Sequence, residues 1–210
     1  MKIKLLFFCS KLGGGGAEMH LVRVLNQLPQ DRFEVHLALT RSGGNYESFL
    51  VEGIRVHHLS NQLNSSLKAL FASVLPLIRL VRELNPEYVI SVMDIQNVIA
   101  CQIKFWWERS FRAKLILCCQ VAPSKDLRSN RIGKIIAQLI PFSYAKADGI
   151  IAISRGVKND LEQNFGIRIP IRVVYNAGLD SSITEKKQEL LQLPEAMHHL
   201  VAVGRLTPQK

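Results

Sequence analysis

The sequence predicts an α/β fold in which a parallel β-sheet is covered by helices on both faces. Three observations carry this. Apolar runs of strand length alternate with longer amphipathic segments from Lys2 to Tyr175. The first run is continuously apolar after Lys4 rather than alternating, as in a strand buried on both sides. With 48% hydrophobic residues in 210, the chain can bury a substantial core, which excludes disorder.

Taken in order, Lys2–Cys9 reads as a strand, followed by a glycine run and a helix over Ala17–Leu28 with Leu21, Val22, Leu25 and Leu28 at helical spacing. Phe33–Thr40 and Ile54–Leu59 are the next strands. Leu67, Leu70, Phe71, Val74, Ile78 and Val81 form the stripe of a long helix, with a kink expected at Pro76. Tyr88–Val92, Lys114–Cys119 and Gly149–Ile153 read as strands. Gln96–Arg112, Ile132–Lys146 and Gly156–Phe165 read as helical, and Arg172–Tyr175 as a short strand. After Asn176 the composition turns polar, and His199–Gly204 resumes as a lone strand. The expected division is a domain over 1–178, a linker over 179–197, and over 198–210 the first strand and loop of a second, truncated domain.

Cys9, Cys101, Cys118 and Cys119 lack metal-ligand or disulfide-framework spacing and read as buried free thiols suited to a reducing cytosol. The apolar run at the start is too short for a secretory signal, and no run approaches the ~18 apolar residues of a spanning helix. The net charge of +10 is uneven. Lys104, Arg109, Arg112, Lys114, Lys125, Arg128, Arg131 and Lys134 face only Glu108 and Asp126. A basic, aromatic segment over Gln96–Lys134, with Trp106 and Trp107 as core or interfacial residues, suggests an anionic partner: a membrane surface, nucleic acid or a phosphorylated substrate. No nucleic-acid motif is present, so nucleic acid is not expected. His57-His58 and His198-His199 point to opposite faces of strands and do not converge on a metal; no metal site is expected.

In parallel sheets ligands bind outside the carboxyl ends of the strands, which directs attention to the segments after Cys9, Thr40, Val92, Cys119 and Ile153. The first holds Lys11-Leu12-Gly13-Gly14-Gly15-Gly16-Ala17-Glu18. Glycines there bring free N–H groups close to a ligand at a helix N-terminus, a geometry suited to a phosphate or diphosphate. The run lacks the Gly-Lys-Ser/Thr of nucleotide triphosphatases and the last glycine of Gly-x-Gly-x-x-Gly. The second strand ends in Leu39-Thr40-Arg41, without the acid that holds a ribose. Glu18 also suits the first turn of a helix, and Ser154, between a strand and a helix, suits an N-cap.

Four motifs stand in order: Gly13–Glu18, Ala147-Asp148-Gly149-Ile150-Ile151-Ala152-Ile153-Ser154, Val173-Val174-Tyr175-Asn176-Ala177-Gly178-Leu179-Asp180, and Val203-Gly204-Arg205-Leu206-Thr207-Pro208-Gln209-Lys210. Together they resemble the family-4 retaining glycosyltransferases of the GT-B fold, and the resemblance spans nearly the whole chain. It implies a Rossmann-like, acceptor-side N-terminal half, with transfer of a sugar from a UDP- or GDP-linked donor to a glycan or lipid-linked acceptor with retention, in cell-surface polysaccharide or glycan synthesis. It implies no cofactor, and a cytoplasmic protein peripheral to the membrane. Gly13, Gly14, Gly15 and Gly16, with Arg205 and Lys210, would hold the donor diphosphate. Glu18, Gln120, Ser154 and Asn176 would lie near acceptor and sugar. Gln120 stands where many members carry a His, and the family's paired glutamates would lie beyond Lys210. An alternative is an inactive fragment, or an acceptor-binding subunit that needs a separate donor domain.

Overall fold

The computed structural model describes residues 2–60, 66–106, 112–127 and 131–176, without the side chains of 66–71 and 106. The chain divides into units at Met1–Asn176 and Ala177–Lys210. The expected linker, the strand after it, Trp107, His198-His199, Arg205 and Lys210 lie outside the described residues.

The elements run β1 (Ile3–Cys9), α1 (Gly16–Gln27), β2 (Phe33–Leu39), β3 (Arg55–His58), α2 (Ser66–Leu84), β4 (Tyr88–Val92), α3 (Asp94–Trp106), β5 (Lys114–Cys119), α4 (Pro123–Asp126), α5 (Arg131–Tyr144), β6 (Gly149–Ala152), α6 (Arg155–Asn164) and β7 (Ile171–Val173). Seven strands form one sheet in the order β3-β2-β1-β4-β5-β6-β7, and every pairing is parallel. The fold is the expected Rossmann-like α/β architecture. Pro76 lies inside α2. The four-residue α4 was not expected, being too short to show a helical period.

The pleat of β1 divides the interior. Leu6 and Phe8 join one core with residues of α2, α3, α5 and α6, among them Leu77, Ile78, Cys101, Ile140, Tyr144 and Leu161. Leu5, Phe7 and Cys9 face the other core, where Leu21, Val22 and Leu25 of α1 meet Val35, Leu37 and Leu39 of β2. Helices therefore lie on both faces, unequally. This layering leaves the strand ends, not the sheet faces, as the place where backbone and polar side chains meet solvent.

Candidate functional site

The strand order reverses between β1 and β4: from β1 the chain steps outward to β2 and β3, and from β4 it steps the other way. At such a switch point the loops leaving adjacent strands part, and a crevice opens at their carboxyl ends. The loop after β1 carries the four glycines to this rim.

Gly14 has φ +131, in the region that disfavours a side chain. That turn aims two amides at one point. The N–H groups of Gly14 and Gly15 donate to Oε2 of Glu18, at 2.8 and 2.6 Å. Gly15 is the N-cap of α1, so Glu18 at the third helical position closes half of a capping box; glycine has no side chain to return the bond. The loop is thus an anion cradle whose anion is its own carboxylate. Gly13 and Gly16 belong to the same turn, and all four glycines are at least partly exposed.

The loop after β2 clamps this turn. Tyr46 N–H donates to the Leu12 carbonyl at 3.0 Å, and a Cβ on Gly44 would fall 2.3 Å from that oxygen. Glu47 accepts from Gly44 N–H at 2.9 Å and pairs with His58 at 2.8 Å. Arg41 N–H donates to the Ser10 carbonyl at 3.0 Å, and Arg41 Nε is buried without a hydrogen bond among the described residues. Sequence reasoning did not single out this rim guanidinium; its place directly after β2 was the available signal.

Across the switch point, Met93 has φ +80 and Asp94 opens α3. The buried Asp94 carboxylate accepts from the Tyr144 hydroxyl at 2.8 Å. Burial pushes its pKa up to about 6, opposed by the Tyr144 hydrogen bond and reinforced by Asp126 and Asp160. Asn97 donates to Tyr144 Oη and to the Cys118 carbonyl, each at 3.3 Å, while its own Oδ1 is buried without a partner. Asp94 is the second residue missed, although its segment was indicated by the strand-end rule.

Gln120 follows β5, and its Oε1 is buried with no donor among the described residues, an acceptor awaiting a partner. Ser154 follows β6 and caps α6, its Oγ accepting from Val157 N–H at 3.1 Å. Asp160, six residues further, accepts from Ser124 N–H at 3.0 Å, from the Ser124 hydroxyl, and from Asn164 at 2.6 Å. At the usual strand spacing, β5 and β6 stand about 10 and 14 Å from β1. Gln120 is therefore much the nearer to the glycine turn. Asn176 is exposed beyond β7.

All four cysteines are free. Burial pushes Cys9, Cys101 and Cys118 up to about 12, and Cys119 well above its ordinary value. Among the described residues no three His, Cys, Asp or Glu side chains gather as a metal site, and no helix is long and apolar enough to cross a membrane. His57 stands 2.9 Å from His36, and His58 turns to Glu47.

Comparison with known proteins agrees with this layout. The chain is 29% identical over 214 aligned residues to the N-acetylgalactosamine-N,N'-diacetylbacillosaminyl-diphospho-undecaprenol 4-alpha-N-acetylgalactosaminyltransferase of Campylobacter jejuni, with 99% of this chain and 56% of that protein covered. Among solved structures it is similar to Anabaena HepE in complex with UDP and glucose, with a TM-score of 0.63, 22% identity, and 89% of this chain and 50% of that one covered. It is also similar to the lipopolysaccharide outer core galactosyltransferase WaaB, with a TM-score of 0.58, 19% identity, and 82% and 45% covered. The chain thus spans about half the length of the proteins it matches. The family model for Glycosyltransferase Family 4 matches residues 14–177, from the glycine turn to the end of the described fold, and the chain belongs to that family.

Proposed function

We propose that this chain forms the acceptor side of an enzyme that moves a sugar from a UDP- or GDP-linked donor onto a lipid-linked glycan, keeping the anomeric configuration. The work serves assembly of a cell-surface polysaccharide or glycan at the cytoplasmic face of a membrane. The observation that carries the reading is the pair of Gly14 and Gly15 amides held around a carboxylate at the switch-point rim. Two converging N–H donors at a helix N-terminus suit a phosphate oxygen as well as they suit Glu18. The Campylobacter relative, named for transfer onto a diphospho-undecaprenol saccharide, supports a lipid-linked acceptor. The UDP and glucose bound to HepE support a UDP-linked donor.

The chemistry follows from charge. The bond from the anomeric carbon to the donor phosphate breaks, a bond to an acceptor hydroxyl forms, and the nucleoside diphosphate leaves with growing negative charge. In a single displacement, retention needs attack from the face the phosphate leaves, and there the departing phosphate is the nearest base for the hydroxyl proton. The amides of Gly14 and Gly15 would stabilise that charge; loss of one such group typically costs ~10²–10³ in rate. Gln120 Oε1 would accept from a sugar hydroxyl, but a Gln cannot serve as an acid or base. Ser154 and Asn176 would line the outer part of the same rim.

Titration with inorganic pyrophosphate and UDP, following the Gly14 and Gly15 amide resonances, tests the reading. Both amides are expected to move, and Glu18→Gln is expected to respond at lower concentration because the competing carboxylate is gone. Still resonances at millimolar ligand would end it. Because the chain spans half of its relatives, we expect negligible sugar transfer by the chain alone. Added donor-binding domain would restore transfer to a subunit, but not to a mere fragment. Robust transfer by the chain alone would refute that expectation.

A further inference from the structure

We propose that α5 lies flat on an anionic lipid bilayer and holds the switch-point rim at the membrane surface. The purpose of this contact rests on the lipid-linked-acceptor reading; its geometry rests on surface chemistry alone.

The inner side of α5 is fixed. Gly133, Ile140, Ser143 and Tyr144 are buried, and a Cβ on Gly133 would fall 2.2 Å from the Leu127 carbonyl oxygen, so the helix sits hard against the chain leaving α4 and cannot roll. The outer side carries Ile132, Ile135, Leu139 and Phe142, which expose 42, 57, 39 and 77% of their surface. Their spacing of three, four and three residues places them in one stripe rather than scattered singly. Phe105, 48% exposed at the end of α3, extends the apolar surface, and the Lys146 ammonium lies 4.8 Å from its ring centroid.

The flanks select the occupant. Arg131 and Lys134 are exposed on the same helix, Lys125 stands before it and Lys146 after it, and no Asp or Glu occurs between Arg131 and Tyr144. A large apolar stripe bordered by cations on a helix without acids, with Asp126 and Asp148 only beyond its ends, matches an in-plane helix on anionic headgroups. At 1.5 Å per residue the helix is about 21 Å long, too short to span a bilayer. The crossover starts at the carboxyl end of β5 and ends at the amino end of β6. Its first turn, α4, therefore begins at the rim that carries Gln120 and the glycine turn, and α5 packs at Gly133 against Leu127 at the end of α4. The basic stretch Gln96–Lys134 contributes cations, while most of the apolar contact comes from residues beyond it.

The test is co-sedimentation of the chain with sucrose-loaded vesicles of phosphatidylcholine, with and without phosphatidylglycerol, at physiological salt. Binding is expected only to the anionic vesicles. The double substitution Ile135→Glu/Phe142→Glu is expected to cut partitioning at least about tenfold. Arg131→Gln/Lys134→Gln is expected to cut it about fivefold per charge and flatten the salt dependence. These side chains are exposed, so unfolding midpoints should hold. Should the double variant misfold, Phe142→Trp gives an independent reading: brominated acyl chains should quench emission beyond that of the unsubstituted chain. Unchanged partitioning in the Glu variant, or no added quenching, overturns the proposal. So does a concentration-dependent dimer lost in Phe142→Glu, which would mean that a second copy covers the stripe, or displacement from vesicles by an oligonucleotide. Vesicle binding without a pyrophosphate response at Gly14 and Gly15 would sink the diphosphate reading and leave the membrane contact intact.

Discussion

The Tyr144 hydroxyl donates to Asp94 Oδ1 at 2.8 Å, joining the last turn of α5 to the first turn of α3 beneath the carboxyl rim. The bond holds a carboxylate in a buried place where its charge is costly, and the consequence is measurable. With Asp94 raised from 3.8 to about 6, the folded chain binds its proton more tightly than the unfolded chain does. The contribution of Asp94 to stability is therefore full below pH 4 and lost as pH rises through 6. Asp94→Asn keeps an acceptor for Tyr144 without the charge. Denaturant titrations should show the variant gaining on the parent between pH 4 and 6, levelling at about 3 kcal/mol above that. A difference that does not vary with pH would show that Asp94 is not desolvated in solution.

The glycine turn separates its residues by mechanism. Gly14→Ala meets an unfavourable positive φ and should cost about 1–3 kcal/mol. Gly16→Ala lies in the first turn of α1 with open space around it, and should stabilise by about 0.5–1 kcal/mol. Thermal unfolding of the two variants should therefore move in opposite directions.

Gly44→Ala should also destabilise the fold, by a different route. The added methyl meets the Leu12 backbone at 2.3 Å, and backbone cannot swing aside as a side chain can. A loss of about 2 kcal/mol or more is expected, together with changed amide shifts at Gly13–Gly15 across the clamp.

Ser154→Ala removes the oxygen that caps α6 and should cost about 1 kcal/mol. Its Oγ accepts from the helix but can still donate its hydroxyl proton. If a sugar uses that donor, transfer by the complete enzyme will fall in Ser154→Ala by more than a stability-matched control.

The thiols should be inert in the folded state. At pKa about 12, only about 10⁻⁴ of the Cys9, Cys101 and Cys118 side chains is thiolate at pH 8. Mass spectrometry after iodoacetamide treatment should find these cysteines unmodified until denaturant is added.

The sheet was legible because its evidence is local and repeated. Tyr88–Val92 and Lys114–Cys119 match the observed strands end to end, and the others shift by one or two residues where caps and turns decide the boundary. The position of the glycine turn followed from the strand-end rule. What the turn does with its amides did not, because Glu18 is compatible both with capping and with solvent until the loop closes around it. Asp94 and Arg41 were hidden for a related reason. An acid opening a helix and an arginine after a strand are common, and only the fold reveals that one is buried against Tyr144 and the other has a guanidinium nitrogen left unsatisfied. Ile132–Lys146 reads as a helix from the sequence, but periodicity cannot say which of two apolar faces the core takes.

The clamp between Leu12 and the Gly44–Tyr46 segment has a thermodynamic consequence. The two lips nearest β1 are already tied to each other through backbone, so an incoming anion has one side chain to dislodge, that of Glu18, and little backbone to order. Binding there should carry a small entropic penalty, with affinity governed mainly by how well the newcomer's charge outcompetes a single tethered carboxylate.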